Sequence, residues 1–143
     1  MDDARKLAGL DNGLANLSTL RSDGTVHTTV VNAGILDHPL IGGAAAAFIG
    51  RPGTLKLRYL RQNPSVTLCW RAGWAWCTVE GTAELAGPDD DLAGFDGVPA
   101  LLREIYRVSG GGEHPDWADF DRVMAAERRV AVLVRPTRIY VNP

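Results

Sequence analysis

Apolar and polar positions along this chain follow two different periods. Leu14, Leu17 and Leu20 mark a predicted strand from Leu14 to Arg21, and the β-branched stretch Val26 to Ala33 predicts a second. Its faces alternate, with His27, Thr29, Val31 and Ala33 on one side and Thr28, Val30 and Asn32 on the other. The Asp23-Gly24 pair between the two runs is a strong hairpin signal. Gly34 to Gly43 reads as a loop turning at Asp37-His38-Pro39. Asp37 and His38, adjacent and without a third ligand, fit that turn better than a metal site. Ala44 to Ile49 is apolar without interruption, the mark of a buried strand. A Gly50-Arg51-Pro52-Gly53 turn follows, then a short helix from Thr54 to Gln62. Thr54 is its expected N-cap and Asn63-Pro64 its stop.

Val66, Leu68 and Trp70 share one face of the next strand, Val66 to Arg71. A turn at Ala72-Gly73 leads into Trp74 to Leu85, whose faces are Trp74, Trp76, Thr78, Glu80 and Ala75, Cys77, Val79, Gly81. After Gly87-Pro88-Asp89 the period changes to helical. Leu101, Leu102, Ile105 and Val108 form one stripe over Val98 to Val108, while Trp117, Phe120, Val123 and Met124 form another over His114 to Arg128. Gly110-Gly111-Gly112 joins the two. Val130 to Val134 and Arg138 to Val141 are strands broken at Pro136, and Asp2 to Leu10 is a weak lead-in helix. Dominant hairpins with interspersed helices predict a mainly β (α+β) fold: an antiparallel barrel with short helices packed outside it. The 143 residues fit a single domain spanning the chain.

No apolar run approaches the roughly 20 residues of a membrane span, and Met-Asp-Asp-Ala-Arg-Lys is unlike a signal peptide. A cytoplasmic protein with reduced, buried Cys69 and Cys77 is expected. No Cys/His cluster has zinc spacing, and no metal is expected. Trp70, Trp74 and Trp76 lie within seven residues; core or dimer packing is the first reading, a wall beside a planar ligand the second.

Charge singles out the helix after the Gly-Arg-Pro-Gly turn. Between His38 and Val79 there is no Asp or Glu, yet Arg51, Lys56, Arg58, Arg61 and Arg71 fall there. This segment carries +5 in a chain of net −2. Lys56 and Arg58 lie in or beside the first helical turn, where cations are unfavourable unless an anion occupies the helix end. A basic island on an acidic chain points to capture of a small anion. An RNA- or DNA-binding protein would more often be basic overall, so no nucleic-acid partner is expected.

Three stretches carry a family resemblance: L-S-T-L-R-S-D-G-T-V-H-T-T-V-V-N-A-G (17–34), F-I-G-R-P-G-T-L-K-L-R-Y-L-R-Q-N-P (48–64) and W-C-T-V-E-G-T-A-E-L (76–85). The ending R-R-V-A-V-L-V-R-P-T-R-I-Y (128–140) also fits. Together they resemble the pyridoxamine 5′-phosphate oxidase-like split β-barrel family of flavin-binding oxidoreductases, in particular its actinobacterial branch using the deazaflavin coenzyme F420. The resemblance implies that the strand at Thr29, Val30, Val31 and Asn32 lies along the cofactor ring. It places Ile49 and Gly50 beside the ribityl chain, and Thr54 and Lys56 on the phosphate. Trp76 would approach from the second subunit of a homodimer. The vitamin-oxidising members have an arginine directly before the lysine, where this chain has Leu55, and their pyridoxamine-phosphate contacts near the C-terminus have no clear match. Arg51 and Arg58 would replace the lost charge, with Arg58 or Arg61 near the acidic tail of F420. The implied activity is hydride transfer to a planar conjugated molecule such as a quinone, enone or tetrapyrrole. FMN is the alternative cofactor, and a non-catalytic flavin or haem-type tetrapyrrole binder the alternative role. No catalytic side chain is assigned; His27 and His114 are read as surface residues.

Overall fold

The computed structural model describes residues 1–142. Six antiparallel strands close a barrel in the order β1-β2-β3-β6-β5-β4: β1 (Leu14–Leu20), β2 (Val26–Asp37), β3 (Ala44–Gly50), β4 (Ser65–Ala72), β5 (Ala75–Ala86) and β6 (Val130–Val141). Four short helices accompany them: α1 (Asp2–Ala8), α2 (Leu55–Gln62), α3 (Val98–Tyr106) and α4 (Trp117–Ala126). This is the antiparallel α+β barrel with outer helices expected from the strand pattern, and the split-barrel architecture that the family resemblance implies.

Alternation along β3 and β6 divides the core in two. Ala46, Phe48, Val130, Val132 and Val134 point into the barrel, where they meet Leu17, Leu68, Trp70 and Val79. Ala45, Ala47, Ala131 and Leu133 point outward, under Leu101, Leu102 and Ile105 of α3 and Phe120 of α4. Both faces of these strands are therefore covered, which is why their sequences are apolar without a break. Ala4, Leu7 and Ala8 of α1, with Leu57 and Leu60 of α2, join the barrel interior. Cys77 is fully buried there, and burial pushes its thiol pKa up; neither cysteine is in a disulfide.

Three elements differ from the sequence expectation. The loop expected from Gly34 begins only after Asp37, because Gly34, Ile35 and Leu36 continue β2 in register with β3 and are buried. The two C-terminal strands are one, β6. Pro136 lies opposite Gly81 and Arg138 opposite Glu80, so Thr137 is an extra residue at a bulge that accommodates the missing proline N–H. Trp74 stands in the β4–β5 turn, 93% exposed, instead of in the strand.

After α3 the chain makes a wide turn over Arg107–Gly111 that presses against the barrel. A Cβ on Gly34 would stand 2.1 Å from the Val108 carbonyl oxygen. Gly34→Ala is expected to lower stability by about 1–3 kcal/mol, the usual cost of overpacking, measured as a shift of the urea midpoint with unchanged m-value.

Candidate functional site

β2 parts from β3 at Ala33. Before that residue β2 is paired with β1 alone, and beyond Phe48 β3 is paired with β6 alone. The wedge between them opens into a cleft of about 860 Å³, lined by Val30, Val31 and Asn32 on one side and Ile49 and Arg51 on the other. Thr54 and Lys56 close the end where α2 begins. A strand with one neighbour leaves alternate backbone N–H and C=O groups without a ladder partner. One wall is therefore main chain ready to exchange hydrogen bonds with a planar molecule. Thr29 Oγ1 and His27 Nδ1, on the inward face of the same strand, are buried without a partner. Such an atom costs about 1–3 kcal/mol until something pairs with it.

The α2 end of the cleft is electropositive. The first turn of α2 contains no acid, and Thr54 does not cap it. Its hydroxyl donates to the Arg51 carbonyl at 2.9 Å, against the sequence expectation that it would accept from a helix amide. The first-turn amides are thus left free, and they add to the charges of Lys56 and Arg51. Among the described residues neither Lys56, Arg51 nor Arg58 makes an ion pair, whereas Arg61, at the other end of α2, is clamped to Asp90 through two bonds of 2.9 and 2.7 Å. Free amides beside unpaired cations are what a phosphate or carboxylate needs.

A roof covers the cleft. Tyr106 at the end of α3, Gly110 and Gly111 in the wide turn, and Phe120, Val123 and Met124 of α4 face it. Its backbone rests on the chain below: a Cβ on Gly110, whose φ is +94°, would stand 2.3 Å from the Asn12 carbonyl carbon. Tyr106, His114, Trp117 and Phe120 pack mostly edge-on with centroids 5.2–5.8 Å apart. Arg107 and Arg103 lie 4.5 and 5.4 Å from the Trp117 ring. Arg103 also holds Asp121 at 2.9 Å and keeps its carboxyl below the usual range.

Of the eleven residues expected around a cofactor, Val30, Val31, Asn32, Ile49, Arg51, Thr54 and Lys56 line this cleft. Thr29 stands in the wall strand with its hydroxyl turned inward. Gly50 is buried under Leu57, whose Cδ2 a Cβ would meet at 2.7 Å. Arg58 is exposed and outside the cleft, and Trp76 packs against Tyr140, away from it, at 6.1 Å between centroids. Sequence reasoning missed the roof and Arg129 at the rim. The apolar stripes of α3 and α4 announced packing but not which opening they overhang. Three successive glycines after a helix were the available signal of close approach.

Arg129 donates to Glu127 at 2.7 Å, and this bond, aided by the Arg129 charge and more weakly by Arg51, holds the Glu127 carboxyl below the ordinary glutamate range. A carboxylate stabilised in this way loses the interaction as pH falls through its folded pKa. Arg129→Ala is expected to raise the Glu127 pKa toward its ordinary value, read from its side-chain carbon shift in an NMR titration.

Comparison with known proteins agrees with this architecture. Residues 4–142 match the pyridoxamine 5′-phosphate oxidase family. A conserved hypothetical protein from Mycobacterium tuberculosis superposes with a TM-score of 0.69 at 17% identity, over 95% of this chain and 81% of the other. A structure described as an F420 reductase gives 0.63 at 19%, over 95% and 94%. A pyridoxamine 5′-phosphate oxidase-related, FMN-binding protein from Nostoc punctiforme gives 0.63 at 15%, over 98% and 78%. At these identities the structural likeness concerns the fold. The family match runs through every element that builds the cleft, and the chain belongs to the pyridoxamine 5′-phosphate oxidase-like split-barrel family.

Proposed function

We propose that this protein is an oxidoreductase that binds reduced coenzyme F420 in the cleft and passes hydride to a planar conjugated acceptor, a quinone, enone or tetrapyrrole. The observation that carries the reading is the pairing, in one cleft, of an open β-strand edge with a helix end whose amides and cations lack anions. The residues present fit such a cofactor. The strand edge at 29–32, paired on one side only, offers main-chain hydrogen bonds to a ring. Lys56, Arg51 and the first α2 amides receive the phosphate, with Ile49 beside the linking chain and Arg58 outside, toward an acidic tail.

When bound, the deazaflavin supplies the hydride from its carbon 5. The chain contributes position and exclusion of water: the strand edge fixes a ring plane, and the aromatic and aliphatic roof keeps the opposite face dry. FMN is the second reading, because its phosphate would use the same helix end and an FMN-binding protein shares the fold.

A homodimer belongs to the proposal. Val26, Val30, Trp74, Ile139, Tyr140 and Val141 are exposed apolar side chains, a large unburied area for a monomer. Pairing would let Trp76 of a second copy approach a cleft that it does not reach within its own chain. Light scattering is expected to give twice the chain mass; a dilute monomer that binds cofactor with full affinity would contradict this part.

Titration with F420 and FMN side by side, following tryptophan quenching, tests the reading. F420 is expected to bind more tightly than FMN, and Lys56→Ala to weaken F420 binding by about 1.5–3 kcal/mol, the range for a charge-assisted hydrogen bond, with little change in stability. Saturable binding with no turnover against any quinone or tetrapyrrole would favour a carrier. Absence of binding to both cofactors would end the proposal.

A further inference from the structure

Two histidines in this chain precede a proline, His38-Pro39 and His114-Pro115, and both build the same local turn. His38 Nδ1 accepts the amides of Leu40 and Ile41 at 3.2 and 3.4 Å; His114 Nδ1 accepts the amide of Asp116 at 2.9 Å. With Nδ1 occupied as an acceptor, the neutral ring carries its hydrogen on Nε2. At His38 that hydrogen has a destination inside the protein, since Nε2 lies 2.9 Å from Glu84 Oε1 and the residue is buried. At His114 it has none: Nε2 makes no hydrogen bond among the described residues, and the residue lines the cleft.

The His114 ring is also held in place. Its centroid lies 5.3 Å from Tyr106, 5.4 Å from Phe120 and 5.6 Å from Trp117. Pro115 fixes the backbone angle that follows it. Asp116 supplies the amide to Nδ1 and, through its own carboxylate, caps α4 by accepting the Asp119 amide at 3.0 Å. One donor is thus held by a rigid turn against Tyr106, Trp117 and Phe120, in a cleft that Val123 and Met124 also line, while the acid Asp119 of the same cleft is committed to Arg122 at 2.6 Å. A few placed polar groups in an apolar lining are how small-molecule sites fix orientation.

We propose that His114 is a substrate-binding residue whose Nε2–H donates a hydrogen bond to a carbonyl oxygen of the acceptor, so that the cleft selects ketonic acceptors over hydrocarbons of the same shape. The inference rests on the reading that the acceptor occupies this cleft. When hydride from the reduced deazaflavin adds to the conjugated carbon of such a molecule, the displaced electron pair ends on that oxygen. A donor already in place stabilises the charge developing there. The proton that completes the reduction comes from solvent, and His114 keeps its own.

The test uses the whole 143-residue chain without cofactor. Menadione (2-methyl-1,4-naphthoquinone) is titrated against 2-methylnaphthalene by tryptophan quenching, with the His114 Nε2 nitrogen shift followed by NMR. Menadione should move that shift; 2-methylnaphthalene should not. His114→Phe is expected to bind menadione about fivefold to tenfold more weakly, the effect of one hydrogen bond, and 2-methylnaphthalene unchanged. His114→Gln, whose amide nitrogen can donate from a similar place, should recover most of the loss. Equal menadione affinity in His114→Phe would overturn the assignment. So would parallel loss of both ligands, which would make the ring a packing element, or wild-type protein that never saturates with menadione. Cofactor titration of Lys56→Ala is independent of these outcomes, so failure at His114 and failure of the cofactor site are told apart.

Discussion

The indole N–H of Trp70 donates to the Ala33 carbonyl at 3.0 Å inside the barrel, at the residue where β2 leaves β3. That bond ties β4 to the fork. On the other side the Ala33 amide donates to the Gly13 carbonyl at 2.8 Å. With its carbonyl and amide both engaged across the fold, Ala33 holds the two strands apart beyond it. Everything at the cleft follows from this separation: the open strand edge at 29–32, the gap in which Ile49 and Arg51 appear, and the seat for α2 at the far end.

Electrostatics then give the opening a sense of direction. The acids that neutralise the basic segment come from outside it and are distributed selectively. Asp90 reaches back to Arg61, at the C-terminal end of α2. Among the described residues none forms an ion pair at the N-terminal end of α2; Glu127 acts on Arg51 only weakly. Partial positive charge from the amides, Lys56 and Arg51 therefore add where the helix dipole also points. The field is local on a chain whose net charge is −2, which suits a small anion better than a polymer.

Much of the barrel was legible because burial on one face of a strand forces period two and burial on both forces an apolar run. Ala44–Gly50 and Val130–Val134 are examples, and the Asp23-Gly24 hairpin is another. What was not legible depended on partners distant in sequence. Gly34 to Leu36 look like a loop until β3 is placed beside them. Pro136 looks like a break until the bulge opposite Gly81 absorbs it. Thr54 has the composition of a cap, but its hydroxyl finds the Arg51 carbonyl first. The cationic helix end was readable from residue order alone because it violates a local rule. The roof was not, because His114 acquires its place only when α3 and α4 fold back over β2 and β3, and nothing in E-H-P-D says which side of the barrel lies beneath.

The contacts that set the roof above the cleft are made by main chain. Gly34 meets the Val108 carbonyl, Gly13 the Ser109 carbonyl and Gly110 the backbone of Asn12, each at a distance that admits no side chain. Clearance between ceiling and floor is thereby decoupled from the side chains that hang into it. Val123 and Met124, which line the cleft without making these backbone contacts, are therefore the positions at which its outline can change while the frame stays put.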